Sequence, residues 1–279
     1  MKKRVPVLML SLLALVFGVV NSPAPAQTPP AEAAPSATAA PDAGAQKARA
    51  LLDKMIAALG GEAFLKYSAL AEQGRAYNFY HGLPNGAGTE FWYFWQAPDR
   101  DRTELGKKRD VARVHNGDQG YEITYKGTVA IDKKEMQDYL RSRNHSLNAI
   151  VRQWLKDPRT VLLYAGPGMA DNRMTEQITL LNAKDESVTL SVDAGTYLPV
   201  RTSFTYRDPV DNLQSEESET YGGYRLEQGM MTAHTLVRIK NGEMVAQRFL
   251  TKVEYNPQLN ASLFEAKVTY DPASQKGKR

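Results

Sequence analysis

From Leu70 onward the apolar residues recur at every second position, and a chain with that period must place them on one face of a sheet. The clearest run is Val200 to Arg207, where Val200, Thr202, Phe204 and Tyr206 share one face and Arg201, Ser203, Thr205 and Arg207 the other. Val188, Leu190 and Val192 repeat it, as do Val237 and Ile239 against Arg238 and Lys240. Asn241-Gly242 separates two such runs, and both residues of that pair tolerate positive φ, so a tight hairpin and antiparallel pairing follow. About ten strands are expected between Leu70 and Tyr255, enough for a large curled sheet or an open barrel.

Two segments carry helical spacing instead. Ala48, Leu51, Leu52, Met55, Ile56 and Leu59 line one face of a helix from Gln46, which Gly60-Gly61 ends. A short turn of helix follows at Phe64 and Leu65. The second segment runs from about Lys133 to Asp157: Asp132 can cap its first amides, Glu135 stands where a capping box needs an acid, and Pro158 stops it. Its apolar stripe, Met136, Tyr139, Leu140, Leu147, Ile150, Val151, Trp154 and Leu155, predicts one amphipathic helix lying against the sheet. The fold class is therefore mainly β with added helices.

The N-terminus sets the compartment. Lys2, Lys3 and Arg4 precede an apolar run from Val5 to Val20, and Ala24-Pro25-Ala26 supplies a cleavage site before Gln27, the order of a secretory signal peptide over residues 1–26. The run is short for a membrane span of about 20 residues; an uncleaved N-terminal anchor is the alternative. The chain has no cysteine, so it is not a lipoprotein, and an exported fold without disulfides must rest on an ordinary core. Residues 27–45, rich in Ala and Pro, read as a disordered tether. The domain is expected over 46–267, and 268–279 as a flexible basic tail.

The formal charge of +4 is mostly a property of the leader. Three of the 35 Lys and Arg lie there without an acid, so the remaining cations outnumber the 31 acids by only one. A nucleic-acid partner loses its electrostatic support.

Catalytic motifs are sparse. His81, His115, His145 and His234 are scattered, none spaced from another as a helical zinc pair, and each reads as a surface or loop residue. Gly166-Pro167-Gly168 lacks a following Lys-Ser/Thr and reads as a turn, and no Gly-x-Ser-x-Gly elbow occurs. Asp99 and Asp101 alternate with Arg100 and Arg102 as a self-neutralising surface turn would, and Glu216, Glu217 and Glu219 read as a solvated strand edge. Neither a metal, a cofactor nor an enzymatic activity is expected. What stands out is aromatic density: Phe91, Trp92, Tyr93, Phe94 and Trp95 are consecutive, with Tyr77, Phe79 and Tyr80 one strand earlier. Both faces of that strand are apolar, which suits either core packing or the lining of an apolar cavity.

Four stretches then carry a family likeness: Asn116-Gly117-Asp118-Gln119-Gly120-Tyr121; Asp193 through Thr196-Tyr197-Leu198-Pro199-Val200-Arg201; Tyr221-Gly222-Gly223-Tyr224-Arg225; and Asn256 with Leu259-Asn260-Ala261-Ser262-Leu263-Phe264. In order and spacing, over residues 46–265, the chain resembles the periplasmic outer-membrane lipoprotein-sorting carriers. The resemblance implies an unclosed half-barrel wrapped around helices, with an apolar cavity that accepts acyl chains. On that reading the protein is a periplasmic binder or carrier of a lipid acyl chain or lipidated protein, in transient contact with envelope membrane proteins. The expected cavity lining is Trp92, Phe94, Tyr139, Leu147, Ile150, Trp154, Phe204 and Tyr206. A second reading is an interaction module whose core is filled by its own side chains; a third, least supported by the histidines, is a hydrolase.

Overall fold

The structure, a computed structural model, describes residues 43–270; the expected signal peptide, nearly all of the tether and most of the basic tail lie outside the described residues. The chain opens with helices α1 (Ala43–Leu59) and α2 (Glu62–Lys66) and continues through strands β1 (Ala69–Tyr80), β2 (Leu83–Pro84), β3 (Thr89–Gln96), β4 (Arg100–Leu105), β5 (Val111–Asn116), β6 (Gln119–Thr124) and β7 (Gly127–Ala130). Helices α3 (Lys133–Asn144) and α4 (Leu147–Arg152) and a 3-10 turn at Trp154–Lys156 follow. Then come β8 (Val161–Ala170), β9 (Arg173–Leu181), β10 (Ser187–Asp193), β11 (Pro199–Arg207) and β12 (Gln214–Gly222). The short hairpin β13 (Arg225–Glu227) and β14 (Met230–Thr232) precedes β15 (Thr235–Lys240), β16 (Glu243–Tyr255) and a 3-10 turn at Ala261–Phe264.

All strand pairs are antiparallel, and the main sheet runs β7-β6-β5-β4-β3-β1-β16-β15-β12-β11-β10-β9-β8, with β2 paired to β1. It is unclosed, as the fold class predicts, though it holds 14 strands where about ten are legible in the pattern, because short strands such as β2 and β7 carry too few residues to show a period. The Asn241-Gly242 hairpin is present, both residues at positive φ. Two meanders, β3 to β7 and β8 to β12, meet through β1, β16 and β15. A consequence of this order is that β7 and β8, consecutive in the chain, are the two opposite edges of the sheet, so residues 131–160 must cross the inner face from one edge to the other.

The core lies on that inner face. Leu52 and Met55 of α1 pack with Ile178, Leu180, Val188, Leu190 and Val192, all fully buried. Gly60 ends α1 at φ +127°, where a Cβ would meet Met230 Cγ at 2.8 Å, so only glycine lets the helix end press on the β13–β14 hairpin.

Four expectations are corrected here. The 133–157 helix is broken at His145-Ser146, because the Ser146 hydroxyl accepts from the Ala149 amide at 3.2 Å and caps a new helix. Asp132 does cap α3, accepting from the Lys134 amide at 2.8 Å, but Glu135 pairs with Arg113 at 2.6 Å in place of completing a capping box. Gly166-Pro167-Gly168 is not a turn; it lies within β8, where the register shifts between Tyr164 and Gly166. The first helix also starts earlier, at Ala43.

The aromatic strand finds both its faces covered. Phe91, Tyr93 and Trp95 point into the core, while Trp92 and Phe94 share the outer face with Glu104 and Arg102 of β4 and then Ala112 and Val114 of β5. The chain after β16 straps across this outer face: Phe264 is buried, Arg102 donates to the Leu263 carbonyl at 3.3 Å, and the Thr269 and Tyr270 amides donate to Thr128 of β7 at 3.0 and 3.1 Å. Truncating Phe264 to Ala should therefore cost about 3–5 kcal/mol, read as a lower denaturant midpoint with an unchanged circular dichroism spectrum.

Candidate functional site

The candidate site is the inner face where residues 131–160 cross it, and its two halves differ in chemistry. Under α4 the contact is apolar. Ile150, Val151 and Trp154 are buried, as is Phe204 on β11. His145 stacks on Phe204 at 4.2 Å and meets Trp154 edge-on at 5.5 Å, and the Trp154 indole donates to the Asn144 carbonyl at 3.0 Å. Arg152 lies 4.2 Å over the Tyr67 ring and donates to the Leu65 carbonyl at 3.2 Å, tying α4 to α2.

Under α3 the contact is polar, since Met136 is the one buried residue of that helix. Tyr139 donates its hydroxyl to Asp101 and stacks on His115 with ring centroids 3.6 Å apart, while His115 Nδ1 lies 2.9 Å from the other Asp101 oxygen. Ser142 donates to Glu217 at 2.8 Å and accepts from Arg238 at 2.9 Å. Tyr206 donates to Glu217 at 3.0 Å, with the Arg141 guanidinium 3.8 Å over its ring. Arg143 donates to the Gly117 carbonyl at 2.8 Å. Asp101 and Glu217 are thus the two sheet carboxylates that fasten α3, beside the pair that its own Glu135 makes with Arg113.

Beyond them the floor stays charged. Arg248 donates to Glu219 at 3.4 Å and lies 3.9 Å from Glu72. Burial raises the Glu72 carboxyl above its ordinary range, with Arg248 opposing; burial works against the Arg248 charge, which Glu219 and Glu72 more than restore.

The positions expected from sequence separate cleanly. Tyr139, Leu147, Ile150, Trp154, Phe204 and Tyr206 are brought together on the inner side; Trp92 and Phe94 are not, and lie on the outer face beneath Arg109, whose guanidinium is 5.0 and 5.8 Å from their rings. An unbroken aromatic run gives alternation no polar reference, so the inward set had no signal. His115, His145 and His234 are buried and not surface residues; His234 Nδ1 lies 2.9 Å from the Leu250 carbonyl. Asp101 belongs to a strand interior and not a surface turn, and Glu217 and Glu219 sit on a central strand, partly buried, rather than on an edge. Nothing in local sequence marks them, because their partners come from other elements, 11 to 75 residues away along the chain.

Two hollows stand out among the described residues, neither of them lined by the expected set. One, about 450 Å³, lies between Met136 and Leu140 of α3 and Tyr121, Ala130 and Ile131; the other, about 290 Å³, lies among Lys66, Tyr67, Gln228 and Tyr255. The space over Phe204 is filled by the protein's own side chains. Among the described residues no group of three or more His, Asp or Glu could hold a metal ion, and no helix is long and apolar enough to cross a membrane.

No protein-family model matches the sequence, and no curated protein is significantly similar to it. Solved structures do match. A DUF1329 family protein from Desulfovibrio piger aligns with a TM-score of 0.54 and 12% identity, over 80% of this chain and 97% of that one. A structure described as an outer membrane lipoprotein-sorting protein domain, from Vibrio parahaemolyticus, aligns with a TM-score of 0.52 and 11% identity, over 79% and 97%. The chain has their fold. The likeness carried by the four sequence stretches is thereby met at the level of architecture, an open antiparallel sheet around helices.

Six tyrosines, Tyr67, Tyr93, Tyr139, Tyr221, Tyr224 and Tyr255, have hydroxyls raised first by burial, that of Tyr255 to about 12. The fold favours their neutral forms. Their contribution is complete below the unfolded value of about 10 and is lost as pH rises through the folded values. The denaturant midpoint should hold steady up to that point and then fall steeply toward about pH 12, with these tyrosines ionising late in an ultraviolet titration.

Proposed function

We propose that the protein is an exported, periplasmic binder or carrier of an acyl chain, from a lipid or a lipidated protein, and that the chain is taken up where α4 now lies. The observation that carries this reading is the crossing segment itself: an edge-to-edge link whose α4 half is apolar and whose α3 half is held by hydrogen bonds. Phe204, Tyr206, Leu147, Ile150 and Trp154 would line the occupied space and Tyr139 its border. The fold likeness to a lipoprotein-sorting domain supports it, as does the leader-like N-terminus. Binding, without chemistry on the ligand, is the role proposed.

The magnitudes allow exchange. Lifting Ile150, Val151 and Trp154 gives up about 1.5–3 kcal/mol each, while a sixteen-carbon chain entering the same surface gains on the order of 12 kcal/mol before ordering costs. An acyl chain can therefore replace the segment without being held irreversibly. The filled space over Phe204 favours one other reading, a closed interaction module that docks an envelope protein.

The two readings part on uptake. Material purified after export should release lipid on solvent extraction and bind a fluorescent fatty acid, and Ile150→Glu should weaken that binding at least tenfold while export continues. A cysteine pair introduced as Ser142→Cys with Glu217→Cys, where the native side chains meet at 2.8 Å, should block uptake when bridged by a short cleavable thiol crosslinker that spans the length lost with the glutamate, and cleaving the bridge should restore it. Unaltered uptake by the bridged pair would leave the interaction module.

A further inference from the structure

We infer that one rim of the sheet, made by the hairpin tips beside β1, docks on the surface of an anionic lipid bilayer. The registers put the ends of strands β1 to β7 in order. Thr89 pairs with Ala76, Leu105 with Phe91, Val111 with Leu105, and Thr124 with Gly127. The loops 81–88, 106–110 and 125–126 therefore share one rim, about 24 Å long at five strand spacings. Residues 267–270 reach the same rim, because Thr269 is bonded to Thr128.

This rim is apolar at its tips and basic between them. Tyr80 and Leu83 are each 71% exposed, Tyr125 86% and Val268 54%. Lys107, Lys108, Lys126 and Lys267 stand exposed among them, with Asp110 the one acid in those loops. Arg109 is spent on Glu104 and the Trp92 ring. At the opposite ends of the same strands, the turns 97–99 and 117–118 carry Asp99 and Asp118 and no lysine. The charge is thus polarised along the strands in a chain that is nearly neutral once its leader is set aside.

The chemistry selects a membrane over a protein. Protein interfaces have a flat, close-packed centre and are depleted in lysine, whereas here small apolar groups, the paired Tyr80 and Leu83, Tyr125 and Val268, project from three separate segments. Tyrosine and aliphatic tips with lysines around them match the headgroup layer, where rings sit at the boundary and lysines meet anionic lipid. The inference does not depend on an acyl chain being bound inside.

Co-sedimentation of the exported protein with vesicles tests it. Binding to vesicles of phosphatidylcholine with about 30% phosphatidylglycerol is expected to exceed binding to phosphatidylcholine alone and to fall with added salt. Lys107→Gln with Lys108→Gln should weaken it by roughly fivefold per lysine, and Leu83→Asp with Tyr125→Asp should also weaken it. The charge-matched pair Lys66→Gln with Lys252→Gln, away from the rim, should leave it unchanged. Failure of the unmodified protein to bind anionic vesicles, or equal losses from both lysine pairs, would overturn the inference and turn the rim over to a protein partner. Fatty-acid uptake measured on the same variants keeps the two proposals apart, since the rim changes should not alter it.

Discussion

The sheet's two edges are consecutive in the chain, and most of the architecture follows from that. An antiparallel sheet that grows outward from β1 and β16 in both directions leaves its last strand on one side and its next on the other. The connection has to travel over the curved inner surface, because the outer one near β4 and β5 is taken by the C-terminal strap. A helix on such a path meets two environments in turn, charged strands near β4, β12 and β15 and apolar ones near β11. Its sequence follows them: hydrogen-bonding residues in α3, aliphatic side chains in α4 and the Trp154 indole in the 3-10 turn after it.

The same constraint explains why the inner face is not uniformly greasy. Glu72, Glu219 and Arg248 occupy the middle of the sheet, with Asp101 and Glu217 under α3. Charges in such a place persist when they are paired, and removing one partner leaves the other exposed to the full desolvation cost. The aliphatic rows beneath α1 provide hydrophobic stabilisation, and Ile150, Val151 and Trp154 of the crossing segment join the same core.

Much of this was legible in the residues. Alternation in Val200 to Arg207, the Asn241-Gly242 turn, the periodicity of α1 and the Asp132 cap each have a local physical cause, and each stands where the sequence indicates. The break at Ser146 was visible only as a capping residue inside an otherwise continuous stripe, where periodicity outweighs a single hydroxyl. Strand β3 could not be oriented, since Phe91 to Trp95 present apolar groups to both faces and only the distant strap reveals why. The burial of Asp101, Glu217 and three histidines depends on pairing between remote segments, which spacing along a chain does not encode.

The bulge at Gly166 in β8 has a bearing on how the molecule behaves in a crowded compartment. An open sheet invites a second chain to continue its ladder. At one margin Thr269 and Tyr270 already occupy Thr128; at the other, the register shift and the missing amide of Pro167 leave only the stretch before it straight. A neighbour would find too short a template to polymerise upon, so the half-barrel can stay open without becoming sticky.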